Sequence, residues 1–221
     1  MRITPLKKGL ILACLTASSF FFAAGSFANA DDPYAGLYDT LKNPQPPITQ
    51  TGKVEVVEFF WYRCGHCSHL EEPLEAWLKN KPDDVAFIRI PAVWRNYSWA
   101  FSAKVFYSAK ELGVLDDIHV PYFESIHRKR KPTEREQQLI NQVFEFFYTT
   151  DFIEPEEVEQ VERNRKLLAG KIERAKELTQ NYGFRGVPVI YVNGRYRLSP
   201  SKVRSYKKMF EILDYLIKKE R

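Results

Sequence analysis

The sequence predicts an α/β fold in which a βαβ unit and a ββα unit are separated by a long helical stretch. Valine, isoleucine and aromatic residues cluster in short runs at residues 53–61, 85–91 and 188–198, as in buried strands. Residues 98–182 contain no strand candidate, and their apolar residues recur every three or four positions. This spacing is typical of amphipathic helices.

Residues 1–30 have the features of a secretory signal peptide. Basic residues come first, residues 9–27 are uncharged, and Ala28-Asn29-Ala30 fits a cleavage site. We therefore expect an exported protein whose mature chain begins at Asp31. An uncleaved membrane anchor is the alternative. A lipoprotein site at Cys14 is not expected, because too little apolar sequence precedes it.

Composition and charge indicate a globular protein that does not bind nucleic acid. Of 221 residues, 44% are hydrophobic, enough for one large domain or two small ones. The formal net charge is +5. Residues 1–30 hold three basic residues and no acidic one, so their removal lowers it to +2. We interpret the basic run at residues 127–131 as a solvated loop or helix end.

The first unit of the fold is a strand, a helix and a second strand. Residues 53–61 predict a central strand, and residues 65–80 have apolar side chains at helical spacing. The second strand follows at residues 85–91. This order predicts a βαβ unit with parallel strands. A short edge strand is expected earlier, near residues 38–41.

The middle of the chain predicts four helices and the end a hairpin. The helices are expected through residues 99–112, at 134–148, from Pro155, and along 168–182. After a strand at 188–192, Asn193-Gly194 predicts a tight turn into a strand at 196–198. One amphipathic helix is expected from residue 199 to the end.

The segment Cys64-Gly65-His66-Cys67 carries the chemistry, at the junction of the first strand and helix. A thiol there faces unpaired N–H groups and the positive end of the helix dipole, which favour the thiolate. Two cysteines this close can form a strained disulfide that passes readily to another protein. His66 can add positive charge or a hydrogen bond to the Cys64 sulfur. The motif predicts a thiol–disulfide oxidoreductase.

A structural disulfide and a metal site are the alternatives for this motif. A ring this small closes almost no loop and would stabilise the fold little. Cys64, His66, Cys67 and His69 lie on adjacent turns, and no second cluster of ligands is evident in the sequence. We therefore expect no metal and no other cofactor. The remaining histidines are interpreted as structural: His69, His119 and His127.

Further motifs make the chain resemble the DsbA family of exported thiol oxidases, in the thioredoxin superfamily. Glu-Phe-Phe at residues 58–60 precedes the cysteines, Arg185-Gly186-Val187-Pro188 precedes a strand, and Val192-Asn193-Gly194 follows it. Many members have Pro-His between the cysteines, whereas this chain has Gly65 and His66. That difference affects the redox potential and leaves the reaction class unchanged.

The resemblance implies a thioredoxin-like fold with an inserted all-helical subdomain. Its first part would be residues 31–97, the insertion 98–183, and its second part 184–221. It also implies a nucleophilic, exposed Cys64 and a buried Cys67. Pro188 would be the superfamily's cis-proline and would turn the backbone of Val187 towards the cysteines for substrate binding.

The resemblance implies that the protein donates its disulfide to reduced, unfolded exported proteins in the periplasm. Its reoxidation would need a membrane partner of the DsbB type, which passes electrons to quinone. We expect a monomer. The alternatives are a disulfide isomerase or reductase, and a metallochaperone or peptide-binding module that keeps only the fold.

Glu58 is the acidic residue closest to the cysteines in the first strand. A lone buried carboxylate is costly, so we expect it to pair with Arg89 of the neighbouring strand. Similar proteins carry an acid at this position, which implies a role as proton acceptor or relay for Cys67. A surface-facing Glu58 is the alternative, and Glu55 is expected to face solvent.

Overall fold

The computed structural model describes residues 32–94, 97–128, 130–147 and 155–221. The predicted signal peptide therefore lies outside the described residues. Tyr34–Arg221 forms one unit. In the described ranges, no helix is both long enough and apolar enough to cross a bilayer.

A mixed five-stranded sheet is found in the described part of the chain. Its strands are β1 Asp39–Thr40, β2 Val54–Phe60, β3 Val85–Pro91, β4 Val189–Val192 and β5 Tyr196–Leu198. The spatial order is β1-β5-β4-β2-β3. Strands β2 and β3 are parallel and β4 is antiparallel to β2. The predicted βαβ unit, hairpin and edge strand are all confirmed.

The helices confirm the predicted fold class. They are α1 Gly65–Leu78, α2 Tyr97–Glu111, α3 Leu115–His127, α4 Glu134–Glu145, α5 Pro155–Asn181, α6 Pro200–Val203 and α7 Tyr206–Lys219. Helices α2 to α5 lie between β3 and β4 in the chain. The structure is therefore an α/β fold with a helical insertion, and its division into domains stays a prediction.

Helix α3 is absent from the sequence-based prediction. Its N-cap residue, Val114, makes no side-chain capping hydrogen bond, and Pro121 lies inside the helix. Both features weaken the signals by which a helix is recognised. The helix is held by burial of Ile118 and Phe123. The basic run at residues 127–131 begins at its last residue, as expected for a helix end.

The predicted third and fourth helices are one continuous helix, α5. Its middle is polar, so the apolar pattern is interrupted there and predicts two helices instead of one. Pairs spaced along its exposed face, such as Arg163 with Glu159 and Arg174 with Glu177, support the helix there. The predicted helix 134–148 is α4, which ends at Glu145.

The predicted last helix is interrupted. Arg204 takes the left-handed conformation, with φ of 57°, and ends α6. Ser205 then caps α7, its side chain accepting a hydrogen bond from the Lys208 N–H at 3.3 Å. The chain therefore turns between two helices at a point where the apolar pattern alone shows no break.

The sheet is covered on both faces. On one face, α1 and α7 contribute Leu70, Leu74, Leu213 and Leu216 against Val56 and Ile190. On the other face, α5 contributes Ala175 and Leu178 against Val57, Phe59 and Tyr191. A third cluster joins the end of β2 to the helical insertion and includes Phe60, Tyr62, Cys67, Phe106 and Phe123. Cys67 is thus part of the core.

Glu55 does not face solvent, so that prediction is wrong. Its side chain is buried, and its carboxylate accepts hydrogen bonds from the Ile48 N–H at 2.8 Å and the Thr49 N–H at 2.5 Å. The Thr49 hydroxyl also donates to it at 2.5 Å. The segment before β2 folds over this carboxylate and satisfies it, which strand alternation could not indicate.

Candidate active site

Cys64 lies at the N-cap of α1, where β2 ends and the chain turns into the helix. Its Sγ accepts a hydrogen bond from the Cys67 N–H at 3.3 Å and can donate one to the Val187 carbonyl at 3.4 Å. The side chain is partly exposed and both thiols are free. An accessible sulfur in this position can meet a disulfide or thiol of another protein.

The environment of Cys64 favours its thiolate. A hydrogen bond from the Cys67 side chain is the largest influence, and it lowers the pKa of Cys64 to about 7 against the opposing effect of partial burial. Backbone N–H groups of Cys67 and His66 and the charge of His66 act in the same direction. The predicted thiolate stabilisation at the helix start therefore has identified donors.

Cys67 has the opposite environment. It is fully buried, and this burial raises its pKa well above the ordinary value of 9.0. Its hydrogen bond to Cys64 and the charges of Cys64 and Glu58 raise the pKa further. Near neutral pH the two sulfurs therefore differ: Cys64 ionises readily, whereas Cys67 stays a thiol and donates a hydrogen bond to it.

The Val187–Pro188 peptide bond is cis, as the resemblance implied. It precedes β4, beside β2, so the Val187 carbonyl comes within hydrogen-bonding distance of the Cys64 sulfur. Val187 itself is half-buried, with apolar residues of the sheet and of the helical insertion around it. The two predicted substrate-binding residues are thus brought next to the reactive thiol.

The residues between the cysteines are held by backbone contacts. The His66 side chain is exposed, and its carbonyl accepts a hydrogen bond from the Tyr206 hydroxyl at 3.0 Å. A β-carbon at Gly65 would lie 3.9 Å from His127 Nδ1, an ordinary contact. A residue with a side chain could therefore replace Gly65 without a steric clash at its β-carbon.

His127 supports the active-site turn from the end of α3. Its Nε2 lies 2.7 Å from the carbonyl oxygen of Tyr62, two residues before Cys64. The structural interpretation of this histidine is consistent with that contact. The sequence carries no signal for it, because the contact depends on where the unpredicted helix α3 ends.

Glu58 is fully buried and pairs with Arg89, as predicted. The two residues are partners in the parallel register of β2 and β3, and Arg89 Nε lies 3.1 Å from Glu58 Oε2. Two further carboxylates, which the sequence did not reveal, share the guanidinium. Its Nη2 lies 2.9 Å from Glu71 and 2.8 Å from Glu75, one turn apart on α1.

This cluster holds more carboxyl groups than cations. Burial, reinforced by the charge of Glu71, raises the pKa of Glu58 to about 7 although Arg89 opposes the shift. Burial likewise raises the pKa of Glu71 to about 7. Each has one buried oxygen without a hydrogen-bond partner in the described part of the chain. Such groups exchange protons close to neutral pH.

His119 borders the same cluster as a neutral residue. Burial lowers its pKa to about 3, and the nearby Arg89 adds to the shift. Its Nδ1 lies 2.8 Å from the Tyr62 hydroxyl, and its Nε2 is 3.5 Å from Glu71. This histidine links the active-site turn to the carboxyl cluster, and its structural role stays a prediction.

No three histidine, cysteine, aspartate or glutamate side chains of the described residues are grouped in a way that would hold a metal ion.

The fold and the unequal thiols define the class of protein, a thiol:disulfide oxidoreductase built on the thioredoxin fold. The sequence profile of the thioredoxin family matches residues 49–214. The thiol:disulfide interchange protein DsbA of Pseudomonas aeruginosa is 34% identical over 219 residues, or 97% of each chain. The DsbA of Burkholderia cepacia is 29% identical over 209 residues, or 94% of this chain and 95% of that one.

Comparison with solved structures also finds DsbA proteins. The crystal structure of Pseudomonas aeruginosa DsbA matches with a TM-score of 0.67 and 33% identity, over 84% of this chain and 93% of that one. The DsbA of Xylella fastidiosa matches with a TM-score of 0.66 and 28% identity, over 83% and 95%. The chain belongs to the DsbA family.

Proposed function

We propose that this protein oxidises pairs of thiols in newly exported proteins by giving up a disulfide between Cys64 and Cys67. One observation carries the proposal: the two sulfurs are unequal. Cys64 is accessible with a lowered pKa, whereas Cys67 is buried with a raised pKa. An attacking thiolate can reach only the first of them.

The reaction proceeds in two exchanges. A substrate thiolate attacks Cys64 Sγ of the oxidised protein, a mixed disulfide forms, and the Cys64–Cys67 bond breaks. Cys67 leaves as a thiolate and takes up a proton. The second substrate thiolate then attacks the substrate sulfur of the mixed disulfide, and Cys64 leaves as a thiolate. The substrate loses two electrons, which the two cysteines gain.

Glu58 is proposed as the group that exchanges the proton of Cys67. It is close enough for its charge to raise the Cys67 pKa, and its own pKa of about 7 suits transfer in either direction. Glu71 shares its guanidinium partner and extends the cluster towards the surface, where Glu75 is 40% exposed. This provides a route by which the proton can be exchanged with solvent.

Val187 and Pro188 are proposed to bind the substrate chain. An extended peptide beside Val187 can form main-chain hydrogen bonds there, and this holds its cysteine against Cys64. The proximity of the Val187 carbonyl to the Cys64 sulfur, 3.4 Å, supports this placement.

The direction of the reaction follows from the stability of the Cys64 thiolate. A more stable thiolate favours the reduced protein and so makes it a better oxidant. The second candidate, an isomerase or reductase, is favoured by the extent of the shift. A pKa of about 7 resembles that of reductases, whereas values of about 3.5 occur in the strongest oxidants.

The redox potential decides between these two functions. We expect equilibration with glutathione to give a value above about −200 mV, as for a disulfide donor, because the chain belongs to the DsbA family. Thioredoxin-type reductases lie near −270 mV. A redox potential near −270 mV, together with reduction of insulin, would favour the reductase.

Trapping tests the roles of the cysteines. Cys67→Ala leaves the reactive Cys64, whose thiolate can attack disulfides of exported proteins and form mixed disulfides. These should accumulate, because Cys67 is no longer present to attack Cys64 and reverse the step. Cys64→Ala is the matched control and should trap far fewer, because Cys67 is buried. Equal trapping by both variants would contradict the assignment.

His66 is proposed to tune Cys64 through its charge. His66→Ala should raise the Cys64 pKa, measured by thiolate absorbance, and lower the redox potential. His69→Ala, at a second exposed histidine of α1, is the control and should leave both unchanged. An identical titration in both variants would remove His66 from the mechanism.

The location and partners are also proposed. Residues 1–30 would be cleaved on export to the periplasm, where a DsbB-type membrane oxidase would restore the disulfide of a monomeric protein. The support is the signal pattern of these residues together with the DsbA family membership. N-terminal sequencing of the exported protein should begin at Asp31, and a sequence beginning at Met1 would contradict export by cleavage.

A further inference from the structure

A groove of about 740 Å³ lies beside the cysteine pair. It extends from His66 and Val187, next to the reactive sulfur, towards α6 and the start of α7. Its apolar lining includes Phe184, Pro188 and Pro200. A chain segment next to a substrate cysteine bound at Cys64 can therefore run along this groove.

The charged lining of the groove is mostly basic. Arg185, Arg197, Lys202 and Arg204 line it, whereas a single acidic residue, Asp39, does so among the described residues. Arg197 donates two hydrogen bonds to Asp39, at 3.0 and 2.8 Å, and Lys202 also pairs with it. Two cations thus already surround this carboxylate, so it does not neutralise the others.

Arg185 and Arg204 carry the excess charge. Both are exposed, and neither has an ion-pair partner among the residues that the structure describes. Arg204 has φ of 57°, the left-handed conformation that ends α6, and its exposed side chain lines the groove. Arg185 immediately precedes the loop that carries Val187 and Pro188.

We propose that this basic groove makes the protein prefer substrate segments with acidic residues close to their cysteines. The inference rests on the proposed function and adds the class of substrate. An aspartate or glutamate near the substrate cysteine would meet Arg185 and Arg204 while the apolar lining holds the rest of the segment. A concave site of one charge also concentrates oppositely charged chains and speeds their association.

Matched dithiol peptides test this preference. The three peptides are identical except at the two positions that flank their cysteines. Both positions are aspartate in the first peptide, asparagine in the second and lysine in the third. For each peptide, the rate of its oxidation by the oxidised protein is measured. This rate is divided by the rate at which hydroxyethyl disulfide, a small neutral oxidant, oxidises the same peptide. This division removes the effect of neighbouring charges on the intrinsic reactivity of the peptide thiols.

We expect the aspartate peptide to react about fivefold faster than the asparagine peptide at low salt, as one or two exposed ion pairs allow. The lysine peptide should be the slowest. The differences should largely disappear at 1 M salt, where charges are screened beyond about 3 Å.

The variant Arg185→Gln with Arg204→Asn should reduce the preference to less than about twofold, as expected when both ion pairs are lost. Asparagine is chosen because it tolerates the left-handed conformation. The control is Arg135→Gln with Arg174→Gln, which makes the same change in charge at exposed positions outside the groove. It should keep the full preference.

The outcomes separate this inference from the proposed function. If the wild-type protein oxidises none of the peptides above background, the proposed function fails. Equal normalised rates for the three peptides, or equal losses in both double variants, would overturn the acidic preference alone. An unchanged preference in the groove variant, with lost binding to phosphatidylglycerol vesicles, would also overturn it and indicate a membrane contact.

Discussion

Strand β2 carries two buried glutamates in very different environments. Glu55 is 3% exposed, on the face of the sheet that packs against α5, and backbone N–H groups of the preceding segment donate to its carboxylate. Glu58 is 0% exposed, on the face covered by α1, and shares one guanidinium with Glu71 and Glu75.

The difference shows that burial alone does not make a carboxylate reactive. Dedicated donors satisfy Glu55, so its contribution is to fix the start of the strand. Glu58 shares its one cation with other carboxyl groups and keeps an oxygen without a partner in the described ranges. Its charge is therefore poorly compensated, and it can gain or lose a proton at low cost.

Arg89→Met should have the largest effect on stability. It leaves the buried carboxyls of Glu58 and Glu71 without their cation, so the free energy of unfolding should fall by about 3–5 kcal/mol near neutral pH. Chemical denaturation measures this change. Arg221→Met, which removes an exposed pair with Asp84, is the control and should cost less than about 1 kcal/mol. Equal losses would show that the cluster does not depend on Arg89.

Glu55→Ala should have the next largest effect. It leaves the N–H groups of Ile48 and Thr49 without their acceptor, which should cost about 2–3 kcal/mol of unfolding free energy. The pH dependence of thiol oxidation should stay as in the wild type, because Glu55 lies on the opposite face from α1. A shifted pH profile would break the proposed distinction between the two glutamates.

Glu58→Gln should change the pH dependence of stability. The folded pKa of Glu58, about 7, lies above its ordinary value of 4.5. The folded protein therefore holds a proton that the unfolded chain has released, and the unfolding free energy falls as pH rises from about 4.5 to 7. In the variant, this slope of unfolding free energy against pH should be shallower by up to about 1.4 kcal/mol per pH unit. An unchanged slope would show that Glu58 does not titrate in this range.

Glu75→Gln should have the smallest effect. Glu75 is 40% exposed, so loss of its pair with Arg89 should cost no more than about 1 kcal/mol. The stability slope between pH 4.5 and 7 should persist, because Glu58 and Glu71 remain. A loss as large as that of Arg89→Met would mean that the exposed partner, and not the buried pair, stabilises the cluster.

Much of the active site could be predicted because its parts are local in the sequence. The spacing of Cys64 and Cys67 and their position after an apolar strand predicted a reactive thiol pair, and the family resemblance implied that Cys64 is exposed and Cys67 buried. The pairing of Glu58 with Arg89 followed from the register of two adjacent parallel strands. In each case a short segment, or a single strand pair, contains all the groups that matter.

Other features depend on contacts between distant segments. The exposure of Glu55 was predicted wrongly, because the segment that covers it follows no periodic pattern. Glu71 was missed since its position on α1 carries no sign that it faces Arg89. The left-handed Arg204 was missed because glycine, not arginine, signals that conformation.

The sequence by itself determined the fold class, the cysteine motif and the DsbA resemblance, because these depend on residue types and their spacing. Only the tertiary structure decided which carboxylates share Arg89, where α3 places His127, and that Arg185 and Arg204 line one groove with His66. Those arrangements join elements far apart in the chain, and their free energies depend on burial and distance. A local pattern contains neither quantity until the elements have packed.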